Sequence, residues 1–433
     1  MRLDRRWKAE DGAPVFTVAG LYTARGWTQW TQGFQFGNAL LCFDFLNDPA
    51  LLEIGLRHTL NDMTEHLTHI GVHDHGFNTM STYGQLRRLL VENRIPANAL
   101  PIQFVELAIK LSGAVQAARW TRLGDGSGFI HSFNGPHSLF IDTIRTLRVC
   151  SAAHALGHKL VAEQDSAVSL LERVCTHARV TARYNIYFGE GRDAYDTPET
   201  RGRTSHEALF NVTNGVYRAP STQQGFSPFT TWTRGLAWAM LGYAEELEFM
   251  ASLPESEFGR DGVPAKEEVL AMMLRAAIAT CDFYIEQGTS SDGICYWDTG
   301  APQLHRLGEW KLRLADPFNA FEPVDASASA IGAQGLLRLG RYLGENGRKY
   351  FTAGLTVAKT LFQEPYLSTA PNHEGILLHS VYHRPNGWDY IPAGQKVPCG
   401  ESSMWGDYHM LELAFLVHRL ASGGYYSFFQ REQ

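Results

Sequence analysis

Apolar residues recur at helical spacing along most of this chain, and that periodicity limits the folds open to it. The periodic segments cover residues 40–55, 83–92, 102–118, 139–156, 167–184, 231–253, 266–287, 327–343, 349–362 and 405–420. Strand-like alternation is rare, and loops rich in glycine, proline, asparagine and aromatic residues join the segments. The sequence therefore predicts an all-α protein.

The connections between the helices indicate one domain over residues 1–433, because no serine–glycine-rich or charged linker interrupts them. An all-α chain of this length without exact repeats can form an open solenoid or a closed ring of helical hairpins. The long loops carry tryptophan, aspartate and histidine. They favour the ring, because loops at one rim of a ring converge on a pocket.

The charge balance argues against a nucleic-acid partner. The formal net charge is -7 and the 17 histidines are scattered, so there is no basic field for a phosphate backbone. Residues 1–27 contain no apolar core of signal-peptide length, and no later stretch approaches the roughly 20 apolar residues of a membrane span. We expect a cytoplasmic protein with no membrane partner, unless a leader was trimmed. The sequence leaves the oligomeric state open.

The six cysteines stand far apart, without a Cys-x-x-Cys pair or a histidine at metal-ligand spacing. We predict that they are reduced and buried, because disulfides would require an oxidising compartment. The sequence also lacks a glycine-rich phosphate loop, a dinucleotide-binding fingerprint and a metal cluster. No cofactor and no metal are therefore predicted.

Three segments place an acid or a base among aromatic residues: residues 71–77, 133–143 and 223–238. Taken alone, Asp142 just inside a helix start would be interpreted as a capping group, and Asp74 as a turn residue. Asp325, before Ala-Ser-Ala-Ser-Ala, is likewise interpreted as a helix N-cap. Trp405-Gly-Asp-Tyr408 is expected to close the ring and shape the pocket floor.

The order of these motifs resembles glycoside hydrolase family 88, the unsaturated glucuronyl hydrolases, with the related family 105 unsaturated rhamnogalacturonyl hydrolases as a near neighbour. The resemblance extends from about residue 30 to residue 413 and is strongest in residues 232–238, 325–331 and 405–408, with Glu412 following. It implies an (α/α)6 barrel of helical hairpins whose active-site pocket is formed by loops at one rim.

The resemblance also implies roles for individual residues. Asp74 and Asp142 correspond to the catalytic pair of the family. Substrate contacts are implied for five further residues: His206, Gln224, Trp232, Arg234 and Trp238.

Three departures from the family pattern put the substrate preference in doubt. Gln35 stands where the family usually has tryptophan in its first aromatic loop, and one sugar-stacking wall is therefore expected to differ. Leu236 stands where glutamine is common, and His75 replaces an apolar residue after Asp74.

The substrates implied by the resemblance carry a C4=C5 double bond, left when a lyase cuts a polysaccharide by elimination. Protonation of C4 leaves positive charge shared by C5 and the ring oxygen, water adds at C5, and the hemiketal opens to expel the remaining oligosaccharide. We expect Asp142 to hold that proton, because a nearby Asp74 carboxylate and burial raise one pKa of the pair above the usual value of about 3.9. Asp74 would stay charged and bind a sugar hydroxyl.

The segment around Arg234 has two interpretations. Arg234 offers a planar charged fork suited to a uronate carboxylate, and the tryptophans offer stacking faces. This role requires a helix start near Trp232, because Trp232, Arg234 and Trp238 cannot share one helix face. If the whole segment is helix interior, Trp238 is a core residue.

Three alternative functions remain open on sequence grounds. The first is an unsaturated rhamnogalacturonyl hydrolase on the same barrel. The second is a sugar epimerase, which would use two opposed histidines as acid and base. The third is a non-catalytic carbohydrate-binding barrel, expected if Asp142 is exposed and remote from Asp74.

Overall fold

The structure, a computed structural model, describes residues 2–8, 11–25, 29–96 and 98–429. Met1, residues 9–10 and residues 26–27, which belong to the N-terminal stretch without an apolar core, lie outside these ranges. The α-helices are α1 (Arg2–Arg6), α2 (Gln32–Leu46), α3 (Pro49–Asn61), α4 (His75–Thr79), α5 (Gln85–Val91), α6 (Ile102–Ala118), α7 (Thr143–Thr146), α8 (Arg148–Ala155), α9 (Leu170–Asn185), α10 (Thr233–Ser252), α11 (Lys266–Phe283), α12 (Ala326–Leu343), α13 (Arg348–Leu361) and α14 (Met404–Ala421).

Short strands decorate the loops between the helices. They are β1 (Pro14–Val18), β2 (Leu21–Ala24), β3 (Trp120–Arg122), β4 (Gly128–Ile130), β5 (Ser138–Phe140), β6 (Lys159–Val161), β7 (Ala167–Ser169), β8 (Glu207–Phe210) and β9 (Tyr217–Ser221). β1–β2, β3–β4 and β6–β7 are antiparallel hairpins, and β5–β8–β9 form a three-stranded antiparallel sheet. The predicted all-α class is confirmed, with strands confined to the connections.

The helices form two concentric layers. In the inner layer α2, α4, α7, α10, α12 and α14 follow one another and α14 packs back against α2, which closes the ring. The segment from α4 continues through a π-helical turn (Met80–Gly84) into α5, and α7 continues into α8. Outside this ring, α3 packs on α2, α6 and α9 on α8, α11 on α10, and α13 on α12. The result is the α/α barrel expected from the resemblance.

The inner layer is almost entirely buried, and small residues allow its helices to approach closely. A Cβ atom on Gly335 of α12 would stand 2.8 Å from the backbone nitrogen of Leu241 in α10. Asp325 begins α12 as an N-cap that accepts hydrogen bonds from the backbone nitrogens of Ser327 and Ala328. The interpretation of Asp325 as a cap is therefore confirmed.

Three helix boundaries predicted from periodicity are wrong. The segment 40–55 is divided between α2 and α3, because Asn47 takes the left-handed conformation and Asp48 caps a new helix with Pro49 in its first turn. The segment 139–156 begins as β5 and becomes helical only at Thr143, and the segment 167–184 begins as β7. In these cases turn and strand contacts override the apolar spacing.

The two ends of the described chain meet at the ring closure. Phe16 of β1 bridges to Ser403, which N-caps α14, and the Tyr22 hydroxyl donates to Asp407 at 2.8 Å. Trp405 stacks on Trp30 with ring centroids 5.1 Å apart. The 405–408 segment thus takes part in closing the ring, as expected.

Each of the six cysteines is free, and each except Cys42 is buried. None of the helices in the described ranges has the length and apolar character needed to cross a bilayer.

Candidate active site

A cavity of about 540 Å³, here called the rim cavity, opens where the inner helices begin. Both predicted catalytic residues and four of the predicted contact residues line it: Asp74, Asp142, Gln224, Trp232, Arg234 and Trp238. Trp30, Phe77 and Phe133 add aromatic walls. Distant segments of sequence therefore converge on one concave, aromatic surface, as a small-molecule site requires.

Asp74 lies immediately before α4, and its carboxylate makes no capping hydrogen bond. Gly76 explains how this helix start comes so close to α7. A Cβ atom at position 76 would lie 2.1 Å from the Thr146 carbonyl oxygen, so only glycine permits this approach of α4 to α7.

Asp142 lies immediately before α7 and is 7% exposed. Its side chain also makes no capping hydrogen bond, so the capping interpretation of this residue is wrong. Its Oδ1 is hydrogen bonded to Nε2 of His73 at 3.1 Å. The carboxylate is thus free of the helix and faces the pocket.

His73 joins the two carboxylates. Its Nε2 lies 3.1 Å from Asp142 Oδ1 and 3.8 Å from Asp74 Oδ1, so the carboxylates are separated by no more than the sum of these two distances. The ring stacks on Phe133, at 6.1 Å between centroids, and meets the edge of Phe140. We refer to Asp74 and Asp142 as the carboxylate pair.

Burial and charge shift the titration of this cluster in opposing ways. Burial raises the pKa of Asp74 and the Asp142 charge raises it further, against the lowering effects of His73, Arg119 and His69. Burial lowers the pKa of His73, but the two carboxylates and the hydrogen bond to Asp142 outweigh it, and the net pKa is raised. Asp74 and His73 therefore both retain a proton to higher pH than the isolated side chains do.

Arg234 lies in the cavity wall, but its guanidinium is occupied by protein acceptors. One terminal nitrogen donates to Asp325 at 3.0 Å and to the Val381 carbonyl at 2.5 Å, and the other to Gln224 and the Tyr382 carbonyl, both at 2.8 Å. The group is sandwiched between Trp232 and Trp405, 4.7 and 4.9 Å from the ring centroids. The Arg234 guanidinium, which was expected to bind a uronate carboxylate, is thus already hydrogen bonded to other groups of the protein.

Gln224 gains its orientation from that arrangement. Because its Oε1 accepts from Arg234, the amide nitrogen is the atom left to meet a ligand. The buried ion pair between Arg234 and Asp325 thereby holds the Gln224 amide, an uncharged donor, in the rim cavity.

Trp232 and Trp238 occupy the positions that the helix start dictates. Trp232 is extended and immediately precedes α10, and its ring lies over Gly235 in the first turn of that helix, where a Cβ atom would stand 2.6 Å from Trp232 Cε3. Trp238 is 2% exposed and packs on Phe77 and His409, yet it also lines the rim cavity. The pocket and core interpretations of Trp238 therefore both describe parts of its surface.

His206 lies behind the cavity wall and does not line it. Its Nδ1 accepts from the Gln223 backbone nitrogen at 3.0 Å, and its ring packs on Phe140 and Trp232. Burial lowers its pKa to about 4, so the imidazole is neutral at pH 7. In this structure it supports the wall and the Gln223 loop.

The three departures from the family pattern lie away from the rim cavity. Gln35 lines a separate cavity of about 280 Å³ with Trp7 and His58. Leu236 is fully buried, and His75 bonds Ser112 and the His69 carbonyl behind α4. Gln35 therefore supplies no part of the rim-cavity wall, and the expected difference in one sugar-stacking wall stays a prediction.

Several lining residues were missed by sequence reasoning. They are His66, His69, Val72, His73, Asn78, Tyr382, His383 and Trp388. His73 could have been found from its place beside Asp74, whereas residues 382–388 belong to a loop that carried no motif. Within the described ranges, no group of three or more histidine, cysteine, aspartate or glutamate side chains is arranged to hold a metal ion.

The fold and site together define a helical-barrel protein with a carbohydrate-type pocket, in which flat aromatic walls surround two acidic side chains. Among proteins of known function, an unsaturated glucuronyl hydrolase of Bacillus sp. strain GL1 is 24% identical over 415 residues, covering 92% of this chain and 89% of the relative. An unsaturated glucuronyl hydrolase of Formosa agariphila is 24% identical over 387 residues, covering 88% and 78%.

The structural comparison agrees with the sequence comparison. The crystal structure of the Bacillus sp. GL1 unsaturated glucuronyl hydrolase superimposes with a TM-score of 0.72 and 21% identity, over 99% of this chain and 96% of that one. No protein-family model matches the chain. The homologues and structural neighbours named here are thus unsaturated glucuronyl hydrolases.

Proposed function

We propose that this chain is a glycoside hydrolase that removes a 4,5-unsaturated uronic acid from the non-reducing end of lyase-generated oligosaccharides. The observation that carries the proposal is the carboxylate pair gathered around His73 in the aromatic rim cavity. Relatives that are named unsaturated glucuronyl hydrolases and align over most of the chain support it.

Proton donation to C4 is assigned to Asp142. Its Oδ1 is held by His73 and the residue lines the rim cavity, so Oδ2 is assigned as the proton-carrying atom. Burial and the neighbouring Asp142 charge raise the pKa of Asp74, which supports a site where a carboxyl proton is retained to higher pH than usual. Asp74 supplies the second charge and binds a sugar hydroxyl.

Hydration follows protonation in the proposed sequence. The proton forms a bond to C4, and positive charge develops on C5 and the ring oxygen. Water then adds at C5 while the Asp142 carboxylate accepts the proton that the water loses. The hemiketal opens and releases the rest of the oligosaccharide, so the protein gains and loses no net proton.

Substrate binding is assigned to the cavity walls. Trp232 and Trp238 offer stacking faces, and the Gln224 amide nitrogen offers an oriented donor. The inner helices begin at this rim, and helix N-termini favour the negative charge of a uronate. Arg234 contributes by holding Gln224 and Trp232 rather than by pairing with substrate.

The same proposal includes one catalytic domain over residues 1–433 and a cytoplasmic location. It requires no cofactor. An unsaturated rhamnogalacturonyl hydrolase is the alternative on this fold, and it differs only in the sugar attached to the unsaturated uronic acid.

Loss of ultraviolet absorbance from the conjugated alkene tests the proposal. Unsaturated disaccharides from several polysaccharide lyases, including a rhamnogalacturonan lyase, are each mixed with the protein, and saturated uronides serve as controls. We expect absorbance to fall with at least one unsaturated substrate and never with a saturated one. An unchanged alkene in every case, or an isomer in place of cleaved sugars by NMR, would reject the hydrolase.

A further inference from the structure

Arg119, at the carboxyl end of α6, ties together two loops of the rim cavity. Its Nε donates to the His131 carbonyl at 3.2 Å, one terminal nitrogen donates to the Ser132 carbonyl at 2.7 Å, and the other donates to the Ile70 carbonyl. Ile70 lies in the loop that leads to Asp74, and Ser132 immediately precedes Phe133 of the cavity wall. One guanidinium therefore fixes the approach to Asp74 against the opposite loop.

The charge of Arg119 is buried without a contacting anion. The residue is 8% exposed, and no carboxylate in the described ranges forms an ion pair with it. A buried cation bonded only to carbonyls is costly unless negative charge lies nearby. Burial lowers the pKa of Arg119, and Asp74 provides the negative charge that opposes this effect, while Arg119 in turn lowers the pKa of Asp74.

We propose that Arg119 is a positioning residue for the reaction, which clamps the Asp74 loop and supplies a permanent positive charge beside the Asp74 carboxylate. The inference rests on the proposed hydrolase function and assigns a further residue to the same site. Arg119 lies behind the loops it holds and does not line the rim cavity, so it acts through Asp74 rather than on substrate.

Arg119 differs from the other charged groups that face Asp74. His73 precedes Asp74, Asp142 faces it from the start of α7, and His69 faces it from the same loop. Among these groups, only the Arg119 guanidinium carries a permanent positive charge. Arg119 also lowers the pKa values of His73 and His131, which places both imidazoles within its field.

Two substitutions separate the clamp from the charge. Arg119→Gln removes both, and we expect the acidic limb of the kcat/KM profile to move to higher pH by about one unit, because loss of the cation makes deprotonation of the pair harder. Arg119→Lys keeps the charge but cannot reach three carbonyls, so kcat/KM falls about tenfold while the acidic limb stays in place. Arg173→Gln is the matched control, since that arginine stacks on Trp120 and faces Glu172.

These experiments test the role of Arg119 separately from the proposed hydrolase function. The inference is overturned if the acidic limb of the kcat/KM profile of Arg119→Gln coincides with that of the wild type. It is also overturned if the acidic limb of Arg119→Lys shifts as far as that of Arg119→Gln. If Arg119→Gln does not fold, the Arg119→Lys profile alone decides. NMR titration of the His73 imidazole needs no substrate: its pKa must rise in Arg119→Gln and not in Arg173→Gln. An inactive wild-type protein contradicts the hydrolase, while the NMR comparison still tests the role of Arg119.

Discussion

His73 Nε2 lies 3.1 Å from Asp142 Oδ1, and this contact joins the cavity loop before α4 to the start of α7. Asp74 approaches the same nitrogen at 3.8 Å. Because His73 and Asp74 are buried and interact, the protonation of one affects the pKa of the other. The pH dependence of the site therefore involves both of these side chains.

The first prediction concerns His73→Gln, which keeps a hydrogen-bond donor but removes the titrating charge. Protonated His73 lowers the pKa of Asp74, so its loss should raise that pKa further. We expect the acidic limb of the kcat/KM profile to move to higher pH by about one unit. His131→Gln is the control, because burial lowers the pKa of His131 to about 4 and the ring carries no charge at pH 7. If the acidic limb of the kcat/KM profile does not move in His73→Gln, the histidine only holds Asp142 in place.

Asp142→Asn should abolish proton donation while preserving the fold. The amide can still accept from His73 through its oxygen, but it has no acidic proton to give. We expect turnover to fall on the order of 100- to 10,000-fold with an unchanged melting temperature. The assay follows alkene absorbance, and Asp125→Asn in an exposed turn serves as control. A near-normal rate for Asp142→Asn would remove the assignment.

The all-α class was predictable from the apolar periodicity, and the barrel from the resemblance, but the exact helix ends were not predictable from either. The end of α2 and the start of α3 could have been predicted from the sequence Asn47-Asp48-Pro49, although the surrounding apolar pattern is helical. The strand before Asp142 depends instead on pairing with β8, some seventy residues further along the chain. Such a partner cannot be identified from local spacing.

The site was predictable to the extent that it followed motif order. The carboxylate pair meets as the resemblance implied, although nothing in either segment alone overrode the capping interpretation. The motif around Arg234 does not reveal which groups its guanidinium binds, because two of the four acceptors are the backbone carbonyls of Val381 and Tyr382. Backbone acceptors leave no residue-type signal, so the apparent ligand-binding arginine was indistinguishable from a structural one.

Arg234→Lys tests that distinction. An ammonium cannot satisfy four acceptors, so we expect the free energy of unfolding to fall on the order of 3 kcal/mol as the pair with Asp325 loses its geometry. Gln224→Ala should lower the free energy of unfolding by only about 1 kcal/mol, because Arg234 keeps three of its four acceptors, and should raise KM about tenfold, because one oriented donor is lost. Denaturant titration and steady-state kinetics measure the two effects. Arg234→Lys with normal stability but a raised KM would instead support direct contact with substrate.

Glu412, on α14, is the centre of a second buried charge cluster at the interior of the ring. It lies 3.3 Å from Arg145 and 3.7 Å from Arg148, and it accepts from the Tyr426 hydroxyl at 2.7 Å. Burial would raise its pKa, but the two arginines outweigh that effect and lower it from 4.5 to about 2. The ionised Glu412 carboxylate therefore stabilises the folded protein fully at pH values above its ordinary pKa of 4.5. This stabilisation is lost as the pH falls through the folded-state pKa of about 2.

Glu412→Gln should consequently lower the free energy of unfolding at pH 7 by about 3–5 kcal/mol, because two buried arginines lose their shared anion. The difference from the wild type should shrink between pH 4.5 and about 2, where the wild-type carboxylate itself becomes protonated. Denaturation midpoints measured at several pH values give both quantities, with exposed Glu345→Gln as control. A difference that persists unchanged at pH 2 would mean that packing around position 412, rather than its charge, stabilises the interior of the barrel.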